Sequence, residues 1–146
     1  MDNLKVISWN TAKRLKHVEG QIDFIHQTRP NVIALQEIIP STETVFLSQL
    51  NKSYPYQASS FELADDLSVL TKKRMFGELI LSKFPIRAKD PNLAKVLWPE
   101  RLLSVSIEIG KQNVSLHTTH IPPGSGNGWI KIETLEGIYE RLKENK

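Results

Sequence analysis

Asn10 and Glu37 are the residues of this chain whose types and placement carry chemistry. Each closes a short apolar run, Leu4-Lys5-Val6-Ile7-Ser8-Trp9-Asn10 and Asn31-Val32-Ile33-Ala34-Leu35-Gln36-Glu37. A carboxylate beside an amide carbonyl suits a hard divalent cation such as magnesium, which takes oxygen ligands and keeps several waters. Taken singly, each has an ordinary alternative. Glu37 reads equally as a solvated carboxylate at a strand end, and Asn10 as a turn residue bonding its own backbone.

The elements that must position these two residues form a strand–helix–strand unit. Val18, Ile22 and Ile25 recur at helical spacing between the two runs, and Arg29-Pro30 ends that helix. The crossover joining parallel strands is almost always right-handed, and the strands are often neighbours. Their C-terminal ends, with Asn10 and Glu37, are therefore expected side by side. Val32–Leu35 is short and continuously apolar, as befits a central strand covered on both faces.

Farther along, Pro40-Ser41-Thr42-Glu43 reads as a helix start capped by Ser41 or Thr42, with Phe46, Leu47 and Leu50 inward. Tyr54–Tyr56 resumes an extended chain, and residues 59–66 read as a loop or edge strand. Leu67–Thr71 and Gly77–Ser82 read as strands, the first followed by a basic turn, Lys72-Lys73-Arg74. Leu102–Ile109 alternates cleanly, and Gly110–Asn113 turns it into a hairpin partner, Val114–His120. An irregular proline- and glycine-rich stretch, residues 122–128, precedes a last helix with Ile132, Leu135, Ile138, Tyr139 and Leu142 on one side. The sum is strand-rich α/β (α+β-like) with mixed sheets.

Composition bounds the rest. The chain has 146 residues, enough to bury about two-thirds of its unfolded surface as one domain. Hydrophobic residues at 40% and charged residues at 24% exclude both a disordered chain and a membrane-embedded one. A net charge of +3 fits a phosphate-bearing partner without requiring one. There is no cysteine, so thiolate metal sites and thiol nucleophiles are ruled out. No signal-peptide pattern opens the chain and no apolar run is long enough to span a bilayer, so a cytoplasmic protein is expected.

Four segments resemble the endonuclease/exonuclease/phosphatase superfamily of DNase I-like nucleases, abasic-site endonucleases, sphingomyelinases and inositol phosphatases. They are Ile7–Asn10, Pro30–Glu37, Gly77–Ile86 and Thr119–Gly124, which occur in family order. The resemblance implies a DNase I-like four-layer α/β/β/α sandwich. It implies that Glu37 binds the catalytic cation, magnesium or manganese, with Asn10 beside both cation and phosphate. It places His120 close to the phosphate, where abasic-site endonucleases usually carry tyrosine. His117, three residues earlier, falls on the opposite strand face and is read as structural.

The chain departs from the family by lacking its later Gly-Asp-x-Asn and Ser-Asp-His segments, which orient and activate the attacking water. Residues 1–146 are accordingly expected to be a single partial domain, incomplete at the C-terminus and weak or inactive alone. The expected function is divalent-metal-dependent phosphodiester hydrolysis, with nucleic acid the favoured substrate. Lys13, Lys72 and Arg101 are candidate phosphate contacts, each weighed against a surface role; for Arg101 the surface role is the leading reading. A binding half-domain that pairs through exposed sheet edges is the rival. A lipid phosphodiesterase ranks third, with Trp98 and Trp129 its only membrane-contact candidates; for Trp129, packing against the last helix is the leading reading.

Overall fold

The computed structural model describes residues 4–63, 75–89, 96, 98–121, 125 and 128–143. Strand β1 (Val6–Asn10) runs parallel to β2 (Val32–Ile38), and helix α1 (Val18–Thr28) connects them. Strand β4 (Gly77–Ser82) pairs antiparallel with β2, and β3 (Tyr56–Ser59) pairs antiparallel with β4. The first sheet is thus mixed, in the order β1-β2-β4-β3. A second sheet holds β5 (Ile86–Ala88), β6 (Leu102–Ile109) and β7 (Gln112–Thr119), all antiparallel. Helix α2 (Pro40–Leu50) joins α1 against the first sheet, and α3 (Gly128–Lys143) follows β7.

Alternation along β2 divides the core in two. Ile33 and Leu35 face α1 and α2, where they meet Ile22, Ile25, Phe46 and Leu50. Val32 and Ala34 face the other sheet and meet Leu103, Val105 and Ile107 of β6. Both faces of β2 are covered, as its continuous apolar sequence requires. The layers are therefore helix, sheet, sheet and helix. No described helix is long and apolar enough to cross a membrane.

Gly77 leaves no room for a side chain. A Cβ there would meet Ser60 Oγ and the Phe61 ring. Ser60 Oγ is already committed, accepting the Glu78 N–H at 2.9 Å. Gly77→Ala is expected to destabilise the fold by about 1–3 kcal/mol, the usual cost of overpacking. Urea denaturation checks this; an unchanged midpoint would show that Ser60 and Phe61 yield freely.

Two sequence expectations change. Helix α2 begins two or three residues before the capped start expected at Ser41 or Thr42. Pro40 opens it, and Thr42 Oγ1 reaches back to accept the Ile39 N–H at 2.9 Å. Helix α3 forms, and its apolar side is mostly exposed: Thr134, Gly137 and Arg141 are buried, with Ile138 half-buried on Val96 and Leu102. Ile132, Leu135, Tyr139 and Leu142 are exposed, as is Trp129, at 77%. Trp129 does not pack on the last helix but stands on it. The expected strand Leu67–Thr71 and the basic turn with Lys72 lie outside the described residues, as does most of the 122–128 stretch.

Candidate active site

Strand pairing places Asn10 opposite Gln36, one residue short of Glu37. Simple alternation would send Glu37 to the helix side with Leu35. It does not go there, because the β2–β4 register shifts between Leu35 and Ile38 and Glu37 adopts φ +54°. Such a bulge re-aims a side chain, and the left-handed backbone costs a non-glycine residue of order 1–3 kcal/mol. The loop after β1 holds the distortion in place. Thr11 donates its N–H to the Gln36 carbonyl at 2.9 Å, and Lys13 donates its N–H to the Glu37 carbonyl at 3.1 Å. The Thr11 hydroxyl bonds the same two carbonyls. Ala12 and Lys13 are themselves left-handed, at φ +52° and +59°. Three strained residues therefore meet at one place, an economy expected of a functional site.

The bulge brings Glu37 to Asn10 and His120. Asn10 Nδ2 donates to Glu37 Oε1 at 2.9 Å, and His120 Nδ1 lies 3.1 Å from the same oxygen. Asn10 Oδ1 accepts the Ala12 N–H at 2.8 Å, which fixes the amide so that its NH2 faces the carboxylate. Burial lowers the His120 pKa; Glu37 opposes this, while Arg101 and Lys13 reinforce it. Neutral His120 therefore assigns its proton to Nδ1, facing the carboxylate, and leaves a lone pair on Nε2.

Arg101 is buried, which corrects the expectation of a surface arginine. Its guanidinium stacks on Phe76 and on Trp98, 4.1 Å from each ring centroid. Its carbonyl accepts the His120 N–H at 3.1 Å. Lys13 Nζ lies 3.8 Å from the Phe76 centroid, and His120 meets the same ring edge-on at 5.3 Å. Phe76 thus gathers two cations and the imidazole around Glu37. Sequence reasoning passed over it; its one signal was an aromatic between a basic run and a buried strand. Trp98, set aside above for membrane contact, is spent on Arg101. His117 points the other way, its Nδ1 2.8 Å from Ser104 Oγ.

A second acid lies beneath the site. Glu78 is fully buried on β4, and Thr118 Oγ1 donates to its Oε2 at 3.0 Å. Gln36 Nε2 donates to the same hydroxyl at 2.7 Å. Burial pushes the Glu78 carboxyl up to about 9, with the Glu37 charge adding to the effect; Thr118 and Arg101 pull it down. It is a neutral acid at pH 7.

The donor set fits a magnesium-like ion. Glu37 Oε1 is occupied by Asn10 and His120, while no hydrogen bond from a described residue reaches Oε2. Among the described residues no three acidic or histidine side chains cluster as a metal cage. Magnesium asks for no such cage: one carboxylate, waters and substrate phosphates are its common shell.

The fold around this site is the DNase I-like fold of endonuclease/exonuclease/phosphatase proteins. Its similar solved structures include D. rerio TDP2 complexed with single-strand DNA product, with a TM-score of 0.73 at 20% identity; the match covers 100% of this chain and 57% of that one. TDP2 from C. elegans matches with a TM-score of 0.68 at 18% identity, over 97% of this chain and 42% of that chain. An endonuclease/exonuclease/phosphatase protein from Beutenbergia cavernae matches with a TM-score of 0.60 at 17% identity, over 90% and 42%. This chain thus spans under two-thirds of the length of these structures. No family model matches its sequence, and neither does any curated protein.

Proposed function

We propose that this chain carries the cation- and phosphate-binding face of a phosphodiester hydrolase whose substrate is nucleic acid. The observation that carries the reading is the strained bulge that turns Glu37 toward Asn10, His120 and two stacked cations. A backbone distortion of this kind persists only where surrounding structure enforces it, and here it serves to aim one carboxylate. The single-strand DNA product held by the D. rerio TDP2 structure supports the choice of nucleic acid.

Glu37 Oε2 would hold the divalent ion, magnesium or manganese. The bound ion would polarise a phosphoryl oxygen and stabilise the departing alkoxide. Asn10 and His120 fix the carboxylate through Oε1, so Asn10 acts as a donor toward Glu37 and the ion falls to Glu37 alone. Arg101 and Lys13, stacked on Phe76, supply positive charge to the phosphate. Phosphate charge would favour protonation at His120 Nε2, which then donates to a phosphoryl oxygen. Lys72 remains a candidate contact from outside the described residues.

The test is nicking of supercoiled plasmid, and release from a chromogenic phosphodiester, with magnesium and with chelator. Magnesium-dependent turnover is expected; its absence from a folded sample would leave a face that binds without cleaving. Retention of labelled single-stranded DNA without turnover would be the signature of that second reading. Arg101→Lys keeps the charge but loses the planar stack on two rings. It is expected to weaken single-stranded DNA binding about tenfold, the order of one lost charge-assisted contact. Fluorescence anisotropy measures this, and unchanged affinity would remove Arg101 from the phosphate face.

A further inference from the structure

The end of the first sheet opposite Glu37 holds a second concave site. Strand β2 starts there and β4 ends there, so nearly the whole length of β2, roughly 20 Å, separates it from the bulge. Helix α1 ends at the same level, beside the connection from α2 to β3. Between them lies a cavity of about 440 Å³, lined by Ile25, His26, Arg29, Ser53, Tyr54 and Lys83. Ile25 and Tyr54 are buried and give it an apolar floor. Tyr54 is held by its hydroxyl, which donates to the Pro30 carbonyl at 3.1 Å. The rim is cationic, and no carboxylate stands among the described residues that line it.

A helix C-terminus attracts cations by itself, since its last carbonyls carry partial negative charge. That demand is already met here. Lys5 Nζ donates to the Thr28 carbonyl, and Lys83 Nζ to the Arg29 carbonyl at 3.4 Å. Lys83 Nζ also lies 5.4 Å from the Tyr54 ring centroid. The Arg29 guanidinium is not used in this way. No hydrogen bond or ion pair with a described residue engages it or the His26 ring. Arg29 moreover holds the left-handed position that closes α1, at φ +48°. Glycine or asparagine ordinarily fills that position, and an arginine side chain there serves neither the cap nor the core.

We propose that this cavity binds a small phosphate monoester. A monoester phosphate carries about −1.5 to −2 charges at neutral pH, which the two full cations Arg29 and Lys83 match. A diester in a nucleic-acid backbone carries one charge per phosphate. The guanidinium takes two phosphate oxygens at once, and the ammonium acts as a point charge beside it. Ser53 and His26 add donors at the rim. The phosphate fills only part of the volume, and the floor of Ile25 and Tyr54 receives the esterified group, the usual division of a small-molecule site. Place and ligand both separate this cavity from the Glu37 face, which receives a diester.

Residue-resolved NMR titration with adenosine monophosphate and with ribose 5-phosphate tests this. Low salt keeps the charges unscreened, and chelator in place of magnesium makes the outcome independent of the hydrolase reading. Saturable amide shifts at Arg29, Ser53 and Lys83 are expected, with a dissociation constant of about 1 mM or below, the order that two charge-assisted contacts supply. The tighter of the two ligands distinguishes a nucleotide from a sugar phosphate as the source of the monoester. Cyclic adenosine monophosphate, a diester of the same nucleoside, is expected to bind about tenfold more weakly. Arg29→Asn removes the cation yet suits the left-handed backbone, and Lys83→Gln keeps a donor to the Arg29 carbonyl. Each is expected to weaken monoester binding about tenfold while thermal stability holds. Three results would each overturn the proposal: no shifts at these residues up to about 10 mM ligand, affinity unchanged in both variants, or cyclic and open nucleotide binding alike.

Discussion

Glu37→Gln is expected to abolish divalent-cation binding and to lower magnesium-dependent hydrolysis about 10³-fold. The magnitude follows from several kcal/mol of transition-state charge stabilisation at 1.36 kcal/mol per tenfold. The substitution is a clean one, because a glutamine carbonyl at Oε1 can still accept from Asn10 Nδ2 and His120 Nδ1. Only the anionic charge and the second oxygen's strength as a ligand are lost. Calorimetric titration with magnesium, or manganese resonance spectra, reads the binding directly and does not depend on turnover. Binding that survives in the variant would move the cation away from Glu37. Glu37→Gly separates aim from strain: it would lose the ion yet gain stability, since glycine adopts φ +54° without penalty.

Glu78→Gln is expected to stabilise the fold by about 3 kcal/mol at pH 7, an unusual result for a buried polar substitution. Below the ordinary carboxyl value of 4.5, folded and unfolded chains both hold the proton. Above it the unfolded chain releases the proton, while the folded chain keeps it until about 9. Through that window the acid lowers stability by up to about 1.4 kcal/mol per pH unit, and the loss is complete above the folded value. Glutamine removes this dependence and still accepts from Thr118. Urea denaturation of both proteins at pH 5, 7 and 9 measures the difference. Parallel curves for wild type and variant would show that Glu78 ionises in the folded chain.

The adjacency of Asn10 and Glu37 was legible because it follows from one covalent link, two parallel strands and a right-handed crossover. The side of the sheet on which Glu37 emerges was not. Period-two alternation assigns it to Leu35's face, and the bulge that Thr11 and Lys13 hold in place reverses it. Two of the bonds that hold it run between backbone atoms, which carry no residue signature; the Thr11 hydroxyl is the one side chain among them. The fate of Arg101 was hidden for a similar reason: its two aromatic partners come from different segments, and Phe76 has no pattern that marks it. The α3 stripe was read correctly as a stripe, but periodicity says which residues share a face and not what that face meets. Its buried residues are Thr134, Gly137 and Arg141, and Ile138 at the border of the stripe packs on Val96 and Leu102.

The clipped bulge has a thermodynamic consequence for whatever the carboxylate captures. A free glutamate gives up rotational freedom when it grips an ion, at a cost of about 1.5–2 kcal/mol. Here that loss has already been taken during folding, because the main chain sets the direction and Asn10 and His120 restrict the rotation. An arriving ligand thus meets a side chain with little left to freeze. Slackening the clip, for instance through Thr11→Ala, would weaken capture through entropy while leaving every liganding atom in place.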